Sequence, residues 1–263
     1  MNPSAVRTPA VSGTFYPKDP VELRHLIDCY LASAKRVSAA PKAIIAPHAG
    51  YIYSGPVAAS AYSSVANLKN PVERIVLIGP SHRVGFEGIA LSSAAFYSTP
   101  LGDIPIELDA HHAVRDLPGV RVIDQAHAYE HSLEVHLPFL QQVLGAFKLI
   151  PLVAGSAPAE QVAEVLDRLW GGTETLIVIS SDLSHYHDYA TARKLDTQTS
   201  RAIESLEWRK LDYASACGRV PVCGLLYSVE KRGLQVKTLD LRNSGDTAGS
   251  RDRVVGYGAY LIH

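Results

Sequence analysis

The amino-acid sequence predicts an α/β protein in which a largely parallel sheet is covered on both faces by helices. First, short apolar runs rich in β-branched residues recur at strand length along the chain. Second, segments with apolar residues at three- and four-residue spacing, typical of helices, separate most of these runs. Strands that alternate with helices are typical of parallel sheets, because a parallel connection must cross over the sheet.

The individual elements follow from these patterns. The predicted strands are residues 43–46, 74–78, 88–92, 147–153, 176–180, 236–241 and 254–262. The first helix is expected to begin at Pro20, because Asp19 is a good N-cap residue and Glu22 completes a capping box, and to end near Lys35. The other predicted helices are residues 55–67, 133–144, 159–170, 188–206 and 222–231. Because no proline- or glycine-rich linker divides the chain, we expect one domain over residues 1–263.

The composition argues against several classes of function. Lysine and arginine total 25 against 26 for aspartate and glutamate, which gives no electrostatic basis for binding nucleic acid or an anionic membrane. Cys29, Cys217 and Cys223 cannot all be paired, so a disulfide-stabilised secreted protein is not expected. The sequence shows no targeting segment and no apolar run near the ~18 residues of a membrane-spanning helix. We therefore expect a cytoplasmic protein with a small-molecule or peptide ligand.

Histidines follow three of the predicted buried strands. His48 follows the first predicted strand and His82 follows the second. The fifth predicted strand is followed by Asp182 and then by His185. Ligands of open α/β sheets bind beside the carboxyl ends of the strands. If these strands are neighbours, about 5 Å apart, the three imidazoles can converge on one point, although a single histidine beside an apolar run is usually structural.

Such a group of side chains suits a metal ion. Two histidines, one anionic ligand and open positions are how proteins hold mononuclear non-heme iron. The anion can come from Asp182 or from the thiolate of Cys217. Cys217 lies between two predicted helices, where Gly218 and Pro221 are expected to break the chain, so its sulfur can point out of a loop. Cys223 is expected to be a small buried residue of the following helix, as most free cysteines are.

A second polar cluster occupies one predicted helix start. Its members are His127, Glu130, His131, Glu134 and His136. On a helix His131 and Glu134 share a face, as metal ligands or a proton relay require. The order His-x-x-Glu-x-His differs from the His-Glu-x-x-His pattern of zinc proteases. The alternative is an ordinary polar helix start, with Glu130 stabilised by the positive end of the helix dipole.

Several long motifs, spread over nearly the whole chain, carry a family resemblance. They are RTPAVSGTFYP, APHAGYIYSGPVAA, IGPSHRVGFEG, YEHSLEVHLPFL, SSDLSHYHDY, ACGRVPV and NSGD. With these motifs the chain resembles the MEMO family, the Memo-like protein B of the AmmeMemoRadiSam system. That family is similar in fold to the class III extradiol dioxygenases, with a LigB-like helix-sheet-helix sandwich around a mixed sheet. The resemblance implies the same fold here, and it implies a radical-SAM enzyme and an AMMECR-type protein as partners.

The resemblance also implies roles for individual residues. Carried over to matching positions, it makes His48, His82 and Cys217 the metal ligands, with Asp182 and His185 on the pocket wall. The related dioxygenases use two histidines and a carboxylate on iron, so a thiolate in the third place is a departure. Sulfur is softer and donates more charge, so copper or zinc can compete with iron(II), the expected metal.

The expected function is that of a metal-dependent redox enzyme acting on a small substrate. His185 is the predicted general base or acid, since the ordinary pKa of histidine, about 6.5, lies near neutral pH. Asp182 is expected to orient His185 or a bound water. The predicted substrate-binding residues are Tyr51, Tyr53, Glu130 and His131. The alternatives are a non-catalytic metal- or peptide-binding protein of a radical-SAM-associated system, and a zinc hydrolase.

Overall fold

The computed structural model describes residues 5–35, 37, 39–66, 68 and 70–263. Its strands are Val6–Arg7 (β1), Ala43–Ala46 (β2), Arg74–Pro80 (β3), Ile89–Leu91 (β4), Phe96–Thr99 (β5), Gly102–Pro105 (β6), Val120–Val122 (β7), Lys148–Ala154 (β8), Thr175–Ser180 (β9), His185–His187 (β10), Val236–Asn243 (β11) and Val254–Ile262 (β12). Its α-helices are Pro20–Ser33 (α1), Tyr51–Val65 (α2), Leu108–Val114 (α3), Asp124–Ala128 (α4), His131–Glu134 (α5), Leu137–Leu144 (α6), Ala159–Leu169 (α7), Tyr189–Glu204 (α8) and Arg219–Arg232 (α9).

One large mixed sheet forms the centre of the molecule. Its strand order is β10-β12-β2-β9-β3-β8-β4-β7, and β11 pairs with β12 beside this path. The four central strands β2, β9, β3 and β8 are parallel, whereas β12 and β4 join them antiparallel. Strands β2 and β9 are buried along their whole length, as expected of strands covered on both faces. A small second sheet has the order β1-β5-β6.

Helices cover both faces of the large sheet. Successive residues of β3 point to opposite sides: Ile75 and Leu77 belong to the core under α1, α2 and α6, whereas Val76 and Ile78 belong to the core under α7 and α9. The predicted three-layer α/β sandwich is therefore confirmed. Within the described ranges no helix is both long enough and apolar enough to cross a membrane.

Most predicted elements are found, with differences at proline residues. The predicted helix 133–144 is two helices, α5 and α6, and Pro138 lies in the first turn of the second. The predicted helix 55–67 begins earlier, at Tyr51, and its predicted end at Asn67 lies outside the described residues. Pro221 does not break the chain after Cys217, because it lies in the first turn of α9, where its missing N–H is not needed.

Candidate metal and substrate site

Three imidazoles meet at the carboxyl edge of the central strands, and the third is His131 rather than the predicted His185. β2, β9 and β3 are adjacent, so the residues that follow them lie at the same edge. His48 follows β2, His82 follows β3, and His131 is the first residue of α5. The ring centroids of His48 and His82 are 5.1 Å apart, and His131 lies 5.5 Å and 4.6 Å from them. One ring nitrogen from each of the three lies within 4.8 Å of the others, close enough to hold a metal ion.

Hydrogen bonds fix the tautomer of His48. Its Nδ1 lies 2.5 Å from the Ser180 hydroxyl oxygen. That hydroxyl donates its only hydrogen to the Ser132 carbonyl, at 2.6 Å. Towards His48 it therefore accepts, so Nδ1 carries the proton and Nε2 keeps a free lone pair. The buried end of β9 thus prepares His48 as a ligand through Nε2.

Glu130 places a proton on Nδ1 of His82. The Glu130 carboxylate accepts hydrogen bonds from His82 Nδ1 (2.8 Å), the His82 backbone N–H (2.6 Å) and the Ser132 N–H (2.9 Å). Burial raises the pKa of Glu130, but these hydrogen bonds and the electrostatic interaction with the His82 imidazole lower it to about 2. The ionised carboxylate only accepts, so Nδ1 of His82 carries a proton and Nε2 is the nitrogen left available to a metal ion. Carboxylates support metal-binding histidines in this way.

The local electrostatics favour the neutral form of His48 and of His131. Burial, assisted by the neighbouring histidines, lowers the pKa of His48 well below its usual value. Burial and the nearby His82 also lower the pKa of His131 to about 4. Neutral imidazole is the form that binds metal ions, so few protons need be displaced.

Cys217 and Asp182 lie directly beside this group. The Cys217 sulfur is 3.3 Å from His48 Nε2 and accepts the Asp182 backbone N–H, also at 3.3 Å. Gly218 allows this approach, because a Cβ there would collide with the Ser180 carbonyl oxygen. Burial and the adjacent Asp182 raise the pKa of the Cys217 thiol, so without a cation it is neutral. The sulfur therefore touches one of the three imidazoles.

Asp182 is held by the backbone of His48. Its Oδ1 accepts the His48 N–H at 2.8 Å, and its Oδ2 lies 4.0 Å from His48 Nε2. Burial raises the pKa of Asp182 to about 7. His185 is oriented separately, because its Nδ1 donates to the Leu183 carbonyl at 2.8 Å. The expected orientation of His185 by Asp182 is therefore not present among these hydrogen bonds.

A cavity of about 490 Å³ lies beside the imidazole group, of which His131 lines it. Its walls include His131, Asp182, His185 and Tyr53. Tyr51 is placed differently from the prediction, since its ring is buried and its hydroxyl donates to the Val135 carbonyl at 2.7 Å. A helix turns by about 100° per residue, so two tyrosines at the start of α2 two residues apart do not share a face.

The second polar cluster divides into two halves. Glu130 and His131 belong to the site. Glu134 faces away, where it binds Arg7, the hydroxyl of Tyr16 and two backbone N–H groups of the N-terminal segment. His127 and His136 are buried, and each is hydrogen-bonded to a tyrosine hydroxyl. The expectation that His131 and Glu134 serve one site through a shared helix face is therefore wrong for Glu134.

Sequence reasoning missed two contributors to the site. Ser180 ends β9 and sets the His48 tautomer, but a serine at the end of a buried strand carries no distinctive signal. Arg253 lines the cavity from the loop before β12. Its position depends on how that loop folds back over the sheet, which the sequence alone does not indicate.

The comparisons with known proteins agree with this architecture. The family model for Memo-like protein matches residues 7–261. A MEMO1 family protein of Aquifex aeolicus is 38% identical, with 96% of this chain and 97% of the relative aligned. The MEMO1 family protein Ta0237 of Thermoplasma acidophilum is 34% identical, with 97% and 98% aligned. An α/β sandwich with this edge of histidines defines a class of candidate metal-binding proteins. Within that class, the chain belongs to the Memo-like family.

One solved structure supports the fold independently. The crystal structure of uncharacterized protein JW3007 from Escherichia coli K12 matches with a TM-score of 0.54 at 13% identity. The match covers 82% of this chain and 98% of the other. At this identity the likeness concerns the fold alone.

Proposed function

We propose that this Memo-like protein is a metal-dependent redox enzyme that holds one ion, iron(II), at His48, His82 and one further side chain. The observation that carries the proposal is the meeting of three imidazoles at one point, two of them with Nδ1 occupied by hydrogen bonds that leave Nε2 as the nitrogen available to a metal ion. Outer hydrogen bonds of this kind are typical of metal ligands. Copper is the main alternative for a site that includes sulfur.

Two side chains compete for the third position. Cys217 completes the expected set, and its sulfur lies 3.3 Å from His48 Nε2. Two ligands on one tetrahedral ion, with metal–ligand bonds of about 2.0–2.3 Å, are roughly 3.3–3.8 Å apart, so this spacing is compatible with shared coordination. His131 is the third imidazole of the group. Replacing each side chain separately distinguishes the two sets.

The protein side chains would then perform the proton chemistry. The ion, when bound, supplies Lewis acidity and a redox couple. Nδ1 of His185 is occupied by the Leu183 carbonyl, so Nε2 is free to take a proton from a substrate in the cavity. Burial lowers the pKa of His185, which keeps this imidazole in the basic form at neutral pH. Tyr53 also lines the cavity and offers a hydroxyl there.

Metal analysis of protein purified without air tests the proposal. We expect iron in the wild type, together with oxygen uptake, and loss of iron in His48→Ala and His82→Ala. Loss of iron in Cys217→Ser but not His131→Ala identifies the thiolate set, and the reverse identifies the imidazole set. His185→Ala should keep the metal and lose turnover, and His187→Ala is its matched control. Metal retained in both His48→Ala and His82→Ala would contradict the proposal.

A zinc hydrolase is the second candidate, and the three-imidazole group favours it. Three histidines and an open position are the ligand set of several catalytic zinc sites, in which the ion activates water. Here stoichiometric zinc, no oxygen uptake and metal loss in His131→Ala are the expected results. The family resemblance further suggests a radical-SAM enzyme and an AMMECR-type protein as partners, which co-purification from cells would test.

A further inference from the structure

The mouth of the cavity carries a cation without an acidic partner. Arg253 lines the cavity and is exposed. In the part of the chain that the structure describes, no carboxylate oxygen lies within 4.0 Å of its guanidinium nitrogens. Asp182 is the acid in the same lining, but it is buried and its Oδ1 is bound to the His48 N–H. The donors of Arg253 therefore remain available to a ligand.

An unusual backbone conformation places an aromatic ring against this arginine. β10 pairs with β12, and the register shifts between His185 and His187, so Tyr186 is the extra residue of a β-bulge. Tyr186 has a φ of 63°, a left-handed conformation that is uncommon for residues other than glycine. Bulges beside active sites redirect side chains. Here His185 lines the cavity while the Tyr186 ring lies 5.2 Å from the Arg253 guanidinium carbon.

This contact leaves the charge of Arg253 intact. A guanidinium stacked on a ring keeps its N–H donors in the plane, where they can bind a carboxylate through two parallel hydrogen bonds. The remaining cavity wall is mixed: polar residues such as Thr14, Ser244 and Ser250 line it together with an apolar and aromatic part formed by Phe15, Ile52, Tyr53, Val255 and Tyr257. The cavity thus combines a cationic group with an aromatic part of the wall that can contact a planar apolar body.

We infer that Arg253, positioned by the bulged Tyr186, binds the carboxylate of the substrate, so that the substrate class is a small aromatic or similarly planar carboxylic acid. This inference deepens the proposed function, because only that function makes the bound carboxylic acid a substrate. The binding itself depends on Arg253 and not on which ion the histidines hold. With the carboxylate held at the mouth, the body of the molecule extends towards His185 and the imidazoles.

Calorimetric titration with benzoate and its neutral isostere benzamide tests the inference. For the wild type we expect benzoate to bind at least about tenfold more tightly than benzamide, the order expected for a charge-assisted bidentate contact. Arg253→Gln should remove this preference. Arg251→Gln is the matched control, because Arg251 is an exposed arginine of the same loop that also stacks on a tyrosine, Tyr189, yet lies outside the cavity lining. It should keep the preference.

Further variants test the roles of charge and ring. Arg253→Glu should bind benzylamine in preference to benzoate. Tyr186→Gly tolerates the left-handed backbone but lacks the ring, so it should weaken benzoate binding severalfold, whereas Tyr186→Phe should not. A wild type that binds benzoate no more tightly than benzamide, or a preference that survives Arg253→Gln, would overturn the inference.

Repeating the titration after chelation separates this inference from the metal proposal. A benzoate preference that persists in chelated protein supports Arg253, whatever the metal analysis shows. A preference that disappears with the metal would mean that the ion binds the carboxylate, which overturns the assignment to Arg253 while leaving the ligand set intact.

Discussion

Two glutamates four residues apart serve opposite purposes. Glu130 faces the site and holds His82, whereas Glu134 faces the N-terminal segment and binds Arg7 and Tyr16. Both are almost completely buried, with 1% and 0% of their surface exposed. Burial therefore does not separate function from stability in this segment, but the identity of the partners does. A carboxylate that orients a free imidazole prepares a ligand, and one paired with arginine anchors the chain.

The largest expected effect follows from removing the charge of Glu134, which holds the N-terminal segment through Arg7. Glu134→Gln leaves the buried Arg7 guanidinium without its counter-charge, which costs about 3–5 kcal/mol of the free energy of unfolding. Urea denaturation measures this loss, with the exposed Glu164→Gln as control. The metal content per folded molecule should not change. A variant as stable as the wild type would show that Glu134 is not an anchor.

The same substitution at Glu130 should lower the affinity for the metal instead. Glu130→Gln keeps the shape of the side chain but removes the charge that holds His82 Nδ1–H, so the affinity for the metal should fall about 10- to 100-fold. Competition with a chelator of known affinity measures it. The loss of unfolding free energy should be smaller than for Glu134→Gln. Metal affinity within twofold of the wild type, with a large loss of stability, would erase the distinction between the two glutamates.

Low pH should reduce the free energy of unfolding through His127, a buried residue outside the site. Burial lowers the pKa of His127 to about 4, against about 6.5 in an unfolded chain. Between these values the unfolded state binds more protons, so His127 contributes stability above pH 6.5 that is lost as the pH falls towards 4. The wild type should lose about 1–2 kcal/mol more than His127→Gln between pH 6.5 and 4.5. Equal losses, measured by urea denaturation, would contradict this assignment.

Asp182, which lies at the site, contributes a pH dependence of stability that is opposite in sign to that of His127. Burial raises its pKa to about 7, so below pH 7 the folded state binds more protons than the unfolded chain. Its contribution therefore favours the folded state at low pH and is lost as the pH rises through 7. Asp182→Asn should remove this dependence.

The smallest expected effect concerns the Tyr16 hydroxyl, which binds Glu134. Tyr16 donates to Glu134 Oε1 at 2.6 Å. Tyr16→Phe removes this hydrogen bond while Arg7 still neutralises the carboxylate, so about 1–2 kcal/mol of unfolding free energy should be lost, without an effect on metal binding. Tyr51→Phe, which removes a hydroxyl bound to a neutral carbonyl, should cost less.

The sequence predicted the fold and part of the site for a common physical reason. Buried parallel strands are continuous apolar runs, and the residues that follow them must lie at one edge, so His48 and His82 could be expected to meet. His131 joins them from the short helix α5, whose approach to β3 depends on tertiary packing. The Tyr186 bulge depends on pairing between β10 and β12, which are far apart in sequence. Local patterns do not encode such contacts.

The proposed metal site depends on particular nitrogen atoms. The crystal structure of iron(II)-loaded protein, grown without air and with anomalous scattering recorded at the iron edge, tests it most directly. The hydrogen bonds of Ser180 and Glu130 predict one iron ion bound to Nε2 of His48 and Nε2 of His82. Iron bound elsewhere, or through Nδ1 of either histidine, would contradict the account.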